Sequence, residues 1–265
     1  LYPPSTGVDG NPPNMNFAKI KAWGWDLTLT HRNSIQKVKY DLTLTLAQTR
    51  DRVLDYGDES SLEPTRRRVG KSYMVWWLYE ADGLFQSQEE IDNHLVDQDE
   101  QGNITLAPGD IKYKDVNGDG KIDSNDQVAI GATTKPNLIY GFGASASWKG
   151  LDINVLFQGA GKSTYFIDGS TVHMFSLGDG WGNVLTEMAN SNRWISADIS
   201  GDPSTEDPNA EYPRLTYGSN PNNYQKSTYW LRNGSYLRLK TLEVGYTLPT
   251  KLVNKVHFNN VRIFF

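Results

Sequence analysis

The sequence predicts an all-β fold, part of a large antiparallel transmembrane β-barrel with long loops at one end. Three observations predict it. Apolar and polar residues alternate with period two in several separate stretches. One face of the clearest stretch is small and polar, and the other is apolar and ends in an aromatic residue. The links between stretches alternate between short and long. Period two belongs to strands, because successive side chains point to opposite faces. Short turns at one barrel end and long loops at the other are the habit of outer-membrane barrels.

The first alternating stretch is 19–30, where Trp23, Trp25, Leu27 and Leu29 share one face and Gly24, Asp26 and Thr28 the other. A polar break at 31–36 follows. In 37–49, Val38, Tyr40, Leu42, Leu44 and Leu46 then oppose Lys39, Asp41, Thr43 and Thr45. Two such runs across a short polar link predict a hairpin. Stretch 137–148 sets Leu138, Tyr140, Phe142, Ala144, Ala146 and Trp148 against Gly141, Gly143, Ser145 and Ser147. Lys149-Gly150 makes a tight turn into 151–158, where Leu151, Ile153, Val155 and Phe157 form the apolar face. Strand character returns at 228–246 and again at 259–265. Parity then assigns 31–36, 149–150 and 247–259 to the periplasmic end, and loops 50–136 and 159–227 to the extracellular end. Within the first loop, Ser87 and Glu90 form a capping-box pattern that predicts a short helix to about Leu95. Six strands are too few to close a transporter-sized barrel. The chain also opens on Leu1-Tyr2-Pro3-Pro4 and stops inside a strand-like run, so a piece of a longer chain is expected. Alternation alone fits a soluble β-sandwich with two large insertions equally well, since both architectures hide one face of each strand.

Composition narrows the classes. Only 38% of the residues are hydrophobic and no run of 18 apolar residues exists, so no transmembrane helix is expected. A barrel strand needs only about 9–11 alternating residues, so a hydrophilic average leaves a barrel open. The 14 Tyr, 8 Trp and 24 Gly favour β structure with long loops. The absence of cysteine removes disulfides and thiolate sites, and the net charge of −5 argues against a nucleic-acid surface. No basic region followed by an apolar segment stands at Leu1, so no signal peptide is read there.

The sharpest chemical motif is Asp115-Val116-Asn117-Gly118-Asp119-Gly120-Lys121-Ile122-Asp123-Ser124-Asn125-Asp126. It matches the calcium-loop pattern, with oxygen side chains at positions 1, 3, 5, 9 and 12. Alternate side chains of a tight loop converge on one hard cation, Gly120 permits the turn, the Lys121 carbonyl is the seventh-position ligand and Ile122 anchors the loop in apolar packing. Asp126 stands where Glu is usual, and its shorter arm reaches less easily for two-oxygen binding. A structural Ca2+ ordering an extracellular loop is the expectation; a metal-free turn rich in Asp, Asn and Gly is the plainer reading.

Other motifs carry less. Gly159-Ala160-Gly161-Lys162-Ser163-Thr164 lacks the first glycine of a phosphate loop, since Leu156 stands there, and Tyr165-Phe166 does not start a helix. His31, His94, His173 and His257 form no metal pair. Paired loop carboxylates would suit a secreted glycosidase, but acidic loops are usually just solvated. Arg66-Arg67-Arg68 could meet lipopolysaccharide phosphates; pairing with Asp55, Asp58, Glu59 and Glu63 is the plainer expectation. Trp76, Trp77, Trp181 and Trp194 could stack on sugars, against a default of packing inside the loops.

Several segments resemble one family in order: Gly24 to Leu29; Glu80-Ala81-Asp82-Gly83-Leu84-Phe85-Gln86-Ser87 with Glu89-Glu90-Ile91; and Pro108-Gly109-Asp110-Ile111-Lys112-Tyr113-Lys114-Asp115 running into the loop above and Ala129-Ile130-Gly131. Tyr140-Gly141-Phe142, Trp148 to Asp152, Tyr212 to Leu215, Ser235 to Leu242 and Gly245 to Pro249 complete the series. From about residue 19 to the end the chain resembles the late barrel of SusC/RagA-type TonB-dependent transporters of Bacteroidetes. The resemblance implies a 22-stranded barrel with an internal plug that this stretch does not include. It further implies a SusD-like surface lipoprotein as lid, energy from TonB through regions outside this stretch, and import of oligosaccharides or peptides across the outer membrane without catalysis. A soluble calcium-stabilised β module for glycan binding or adhesion is the alternative.

Overall fold

The computed structural model describes residues 18–133, 135–169, 172–175, 182–190 and 192–265. Its frame is a six-stranded antiparallel sheet of β1 (Lys19–Ile35), β2 (Val38–Asp55), β7 (Leu138–Trp148), β8 (Leu151–Gly161), β11 (Tyr236–Thr247) and β12 (Arg262–Phe264), in that spatial order. Each strand lies beside its neighbour in the chain order of the wall, the meander that a barrel wall requires. The intervening numbers belong to short strands in the two long connections: β3 (Trp76–Leu78), β4 (Ala81–Leu84), β5 (Ile111–Tyr113), β6 (Val128–Ile130), β9 (Thr164–Phe166) and β10 (Leu231–Asn233).

Register ties the sheet into rows. Val38, Trp148, Leu151 and Tyr246 stand opposite one another across four strands, as do Leu44, Phe142, Phe157 and Leu239. Directly opposed residues share a face, so the apolar positions merge into one continuous face. The turn between β7 and β8 is Lys149-Gly150, both residues with positive φ (50° and 89°). That is the turn whose twist matches the flanking strands, and the second position takes glycine without strain. Gln36-Lys37 closes β1 onto β2 in the same two-residue manner.

Four sequence expectations are corrected. There is no break at 31–36: β1 runs on to Ile35, with His31 opposite Leu42 and Arg32 opposite Asp41. The polar residues there do not end the strand, because β2 still satisfies their backbone groups. β2 likewise extends past 49 to Asp55. The expected strand 228–246 is two pieces, since Leu231–Asn233 pairs with β9 and only Tyr236–Thr247 joins the wall. The helix opened by Ser87 ends at Asp92. The Ser87 hydroxyl accepts from the Glu90 N–H, but the Glu90 carboxylate accepts from the Gln86 N–H and pairs with Lys112 at 2.8 Å.

The long connections are not loose loops. β3 pairs with β6, β4 with β5 and β9 with β10, and a parallel bridge between Tyr79 and Ser227 joins the first connection to the second. One apolar core runs through both: Tyr79, Leu84, Ile111, Tyr113 and Ile122 from the first pack with Val172, Met188, Trp194, Tyr212 and Trp230 from the second. The two connections therefore form one cap at the end of the sheet opposite the short turns.

Candidate functional site

Three surfaces could carry function: the two faces of the sheet and the cap. The apolar face is bare. Trp25 is 48% exposed, Leu29 54%, Phe142 44% and Leu242 57%. A sandwich would press a second sheet on this face, and among the described residues the remaining sheets are two-stranded ribbons. Exposed stripes of this kind need lipid, which separates a barrel wall from a soluble module where alternation could not. In length, β7 and β8 have 11 residues each, within the range of about 9–11 for a tilted membrane strand.

The opposite face is polar, carrying Thr28, Thr30, Thr43, Thr45, Ser145, Ser147, Asn154 and Gln158. Near the short turns it holds paired charges. Arg32 bonds Asp41 across β1 and β2, and Arg262 reaches both Asp152 (2.5 Å) and Glu243. A hollow of about 770 Å³ lies over Arg32, Lys39, Asp41, Asp152, Asn154 and Glu243. Charges on a wall that also faces lipid belong on the water-filled side.

The cap is organised by a buried polar hub. Asp110 is 1% exposed. Arg214 donates to its two carboxylate oxygens at 2.8 and 3.0 Å, Asn220 and Asn223 donate to Oδ1, and the Ala107 N–H donates to Oδ2. A charge that deep persists only when paired and hydrogen-bonded on every side. Beside it, Gln98 donates to the Ile111 carbonyl and the Asn222 amide oxygen, and accepts from the Tyr113 N–H. Every one of these bonds to Arg214, Asn220, Asn222 or Asn223 joins one connection to the other. Sequence reasoning missed the hub. Asp110 and Arg214 both lay in segments singled out for their resemblance, but no spacing rule links residues 104 positions apart.

A cleft of about 720 Å³ opens next to the hub, lined by residues that include Gln98, Asp99, Tyr113, Asp123, Asn222 and Gln225. Burial opposes ionisation of Asp99, but bonds from the Thr105 hydroxyl and N–H and from the Gln101 and Asn103 N–H groups outweigh it and hold the carboxyl at about 2. Burial pushes the Tyr79 and Tyr113 phenols up, so both remain neutral donors. The lining thus mixes amides, hydroxyls and ionised carboxylates, a set that binds through hydrogen bonds and charge.

The acidic loop edges this cleft through Asp123. Asp115 accepts from the Gly118 and Gly120 N–H groups, Asn117 from Asp119, and Asp119 from Lys121. Gly120 takes φ +84°, and Ile122 is buried in the cap core, both as the motif requires. Asp123 caps a short 3-10 turn, with its carboxyl held low first by the Asn125 N–H, and pairs with Lys121 at 3.1 Å. Asp126 is fully buried, and its oxygens accept from the Val116, Asn117 and Asp123 N–H groups. Donor chemistry and spacing fit a hard cation. Among the described residues no three His, Cys, Asp or Glu side chains stand together, and a calcium loop of this kind also draws on an amide and a backbone carbonyl, here Asn117 and Lys121.

The remaining motifs resolve into packing. Gly159, Ala160 and Gly161 lie within β8 and Thr164 starts β9, so no helix follows the lysine. Trp76 donates to the Thr164 hydroxyl and meets Phe166 edge-on. Trp194 is buried and donates to Gln86. Trp77 lies under the guanidinium groups of Arg66 and Arg68, and Trp181 lies outside the described residues. Among the described residues the arginines make no ion pair with the nearby acids, against expectation: Arg66 donates to Gln127, Arg67 to the Leu62 carbonyl, and Arg68 lies over Tyr56 and Trp77. Glu59 instead receives the Arg68 and Val69 backbone N–H groups.

No family model matches the chain. Two curated proteins of Formosa agariphila do: TonB-dependent receptor P26, 29% identical over 98% of this chain, and TonB-dependent receptor P3, 23% identical over 94%. The chain spans about a quarter of each, 25% and 24%. Among solved structures, the RagAB peptide transporter matches 99% of the chain with a TM-score of 0.66 at 18% identity, covering 26% of that chain. The RagAB peptide importer in its closed-closed state matches with a TM-score of 0.63 at 19% identity. The fold is therefore that of a stretch of RagA-type outer-membrane barrel, not closed by these strands alone. Over nearly its whole length the chain resembles the TonB-dependent receptors of the bacterial outer membrane, and its bare apolar face agrees with a barrel wall of that kind.

Proposed function

We propose that this chain supplies part of the wall, the channel lining and the outer cap of a TonB-dependent importer of nutrient glycans or peptides, and that it carries no catalytic step of its own. The observation that carries this reading is the pairing of an apolar face open to lipid with a polar face open to water, topped by a cap with its own core. A SusD-like surface lipoprotein would close over the cap, and TonB would act through parts of the protein outside this stretch. The cleft lined by Asp99, Asp123, Asn222 and Gln225 would contact cargo entering from outside. Growth of the source bacterium on single oligosaccharides or on peptides, with the full-length gene deleted and restored, tests the function. Loss of growth on one nutrient class, restored with the gene, supports import and names the cargo. Unimpaired growth and uptake on every substrate overturns it.

For the acidic loop we propose that Ca2+ takes Asp115, Asn117, Asp119, the Lys121 carbonyl and Asp123 as ligands. Asp126, committed to three backbone N–H groups, is the member least free to contribute. Hard oxygen donors at alternate positions support this reading. Titrating calcium into the full-length protein by calorimetry tests it: heat that disappears in Asp119→Ala is expected, and no uptake by the parent protein ends the proposal.

A further inference from the structure

We propose that the outer rim of the lipid-facing wall holds a binding site for a phosphorylated lipid headgroup of the outer leaflet, formed by Lys21, Arg50 and Arg52. The site rests on the barrel-wall reading above. Register places it: Lys21 stands opposite Arg52, and Trp23 opposite Arg50. Both rows continue the face of Trp25, Leu27 and Leu29, whose partners are Gln48, Leu46 and Leu44. The ammonium of Lys21 lies 5.8 Å from the Trp23 ring centre, so the two share that face.

Depth agrees with a headgroup. Ten residues separate Val38, level with Trp148 at the short-turn end, from Gln48, level with Trp25. At about 3.4 Å per residue and a tilt near 40°, that rise is about 26 Å, the height of the apolar band of such barrels. Arg50 and Arg52 stand about 5 and 10 Å beyond it on the same arithmetic, where headgroups begin.

Charge demands an anion there. Like charges directly opposed across a strand pair repel, yet Lys21 and Arg52 are so placed. Among the described residues, the side chains of Arg50 and Arg52 make no hydrogen bond or ion pair, and that of Lys21 makes only its contact with Trp23. The nearest acids on β2 are turned elsewhere: Asp51 receives Ser72 and Tyr73, and Asp55 receives the Gly57 N–H. Arg50 and Arg52 also lie one strand in from the β1 edge, about 10 Å from any further strand that would pair there. A lipid phosphate flanked by Trp23 fits both the three cations and the adjoining apolar band.

The test is native mass spectrometry of the full-length receptor in detergent, titrated with bisphosphorylated lipid A and with the same lipid stripped of phosphate. The parent protein should retain the phosphorylated lipid about a hundredfold more tightly, on the order of fivefold per cation. Lys21→Gln/Arg50→Gln/Arg52→Gln should erase that preference, while Lys21→Arg/Arg50→Lys/Arg52→Lys keeps most of it and Arg66→Gln leaves it unchanged. If the triple glutamine variant fails to form a barrel on a heat-modifiability gel, Arg50→Gln/Arg52→Gln is read instead. Equal retention of both lipids by the parent, or an undiminished preference in the glutamine variants, overturns the proposal. Fractionation of the parent away from the outer membrane would instead fail the wall reading, a separate result.

Discussion

Replacing Asp110 with asparagine would cut the cap's central bond while keeping its shape. Asp110 is 1% exposed and binds Arg214 through both oxygens, and the Arg214 side chain is itself only 25% exposed. Removing one partner of a buried pair costs about 3–5 kcal/mol, because the other charge stays buried without compensation. The exposed quarter of Arg214 argues for the lower end, about 3 kcal/mol, or about a hundredfold in an opening equilibrium. Hydrogen exchange by mass spectrometry on the full-length receptor reads this locally. Peptides covering 107–113 and 214–224 should exchange about a hundredfold faster in Asp110→Asn, with those from 138–161 in the wall unchanged. Unchanged exchange in the cap would refute the hub as its fastener. Equal acceleration in the wall would refute the cap as a separately opening unit.

Two further outcomes follow from the faces and the cleft. Phe142→Arg, at mid-height on the apolar face, should lower the yield of assembled barrel in the outer membrane, at a cost of about 2–4 kcal/mol, whereas Ser145→Arg on the polar face should assemble normally. Immunoblots of the outer-membrane fraction decide, and equal yields would reverse the assignment of faces. Asp99 is held at about 2 in the fold against an ordinary 3.8. A depressed carboxyl contributes stability that is present above the unfolded value and lost as pH falls through the folded one. Exchange of the segment from Asp99 to Thr105 should therefore accelerate between about pH 4 and pH 2 beyond the intrinsic pH effect. Asp99→Asn should remove that excess, and an identical profile in both proteins would contradict the role of its hydrogen bonds.

The wall was legible in the sequence because its signal is local. Leu42 and Thr43 declare opposite faces whatever the rest of the chain does, and the short and long links order the strands. Where local polarity and strand pairing disagree, pairing wins: His31 to Ser34 read as a break, but β2 holds them in register. The cap was not legible, because its order comes from contacts between distant segments. Asp110 with Arg214, Gln98 with Asn222 and Tyr79 with Ser227 span more than a hundred residues each. The acidic loop was legible as a pattern, and Gly120 and Ile122 behave as that pattern requires. At position twelve Asp126 is also a buried acceptor for backbone N–H groups, a use its identity does not reveal.

The cap's single core, drawn from both long connections, also constrains how such receptors can be rebuilt. Exchanging one connection for that of a relative would leave Ile111 and Tyr113 facing a foreign partner in place of Trp230 and Tyr212, and Asp110 without Arg214. Chimeras between this chain and a relative must therefore transplant 56–137 and 162–235 together. Over generations, substitutions in one segment should be matched by substitutions in the other, so that the pair descends as a single heritable block.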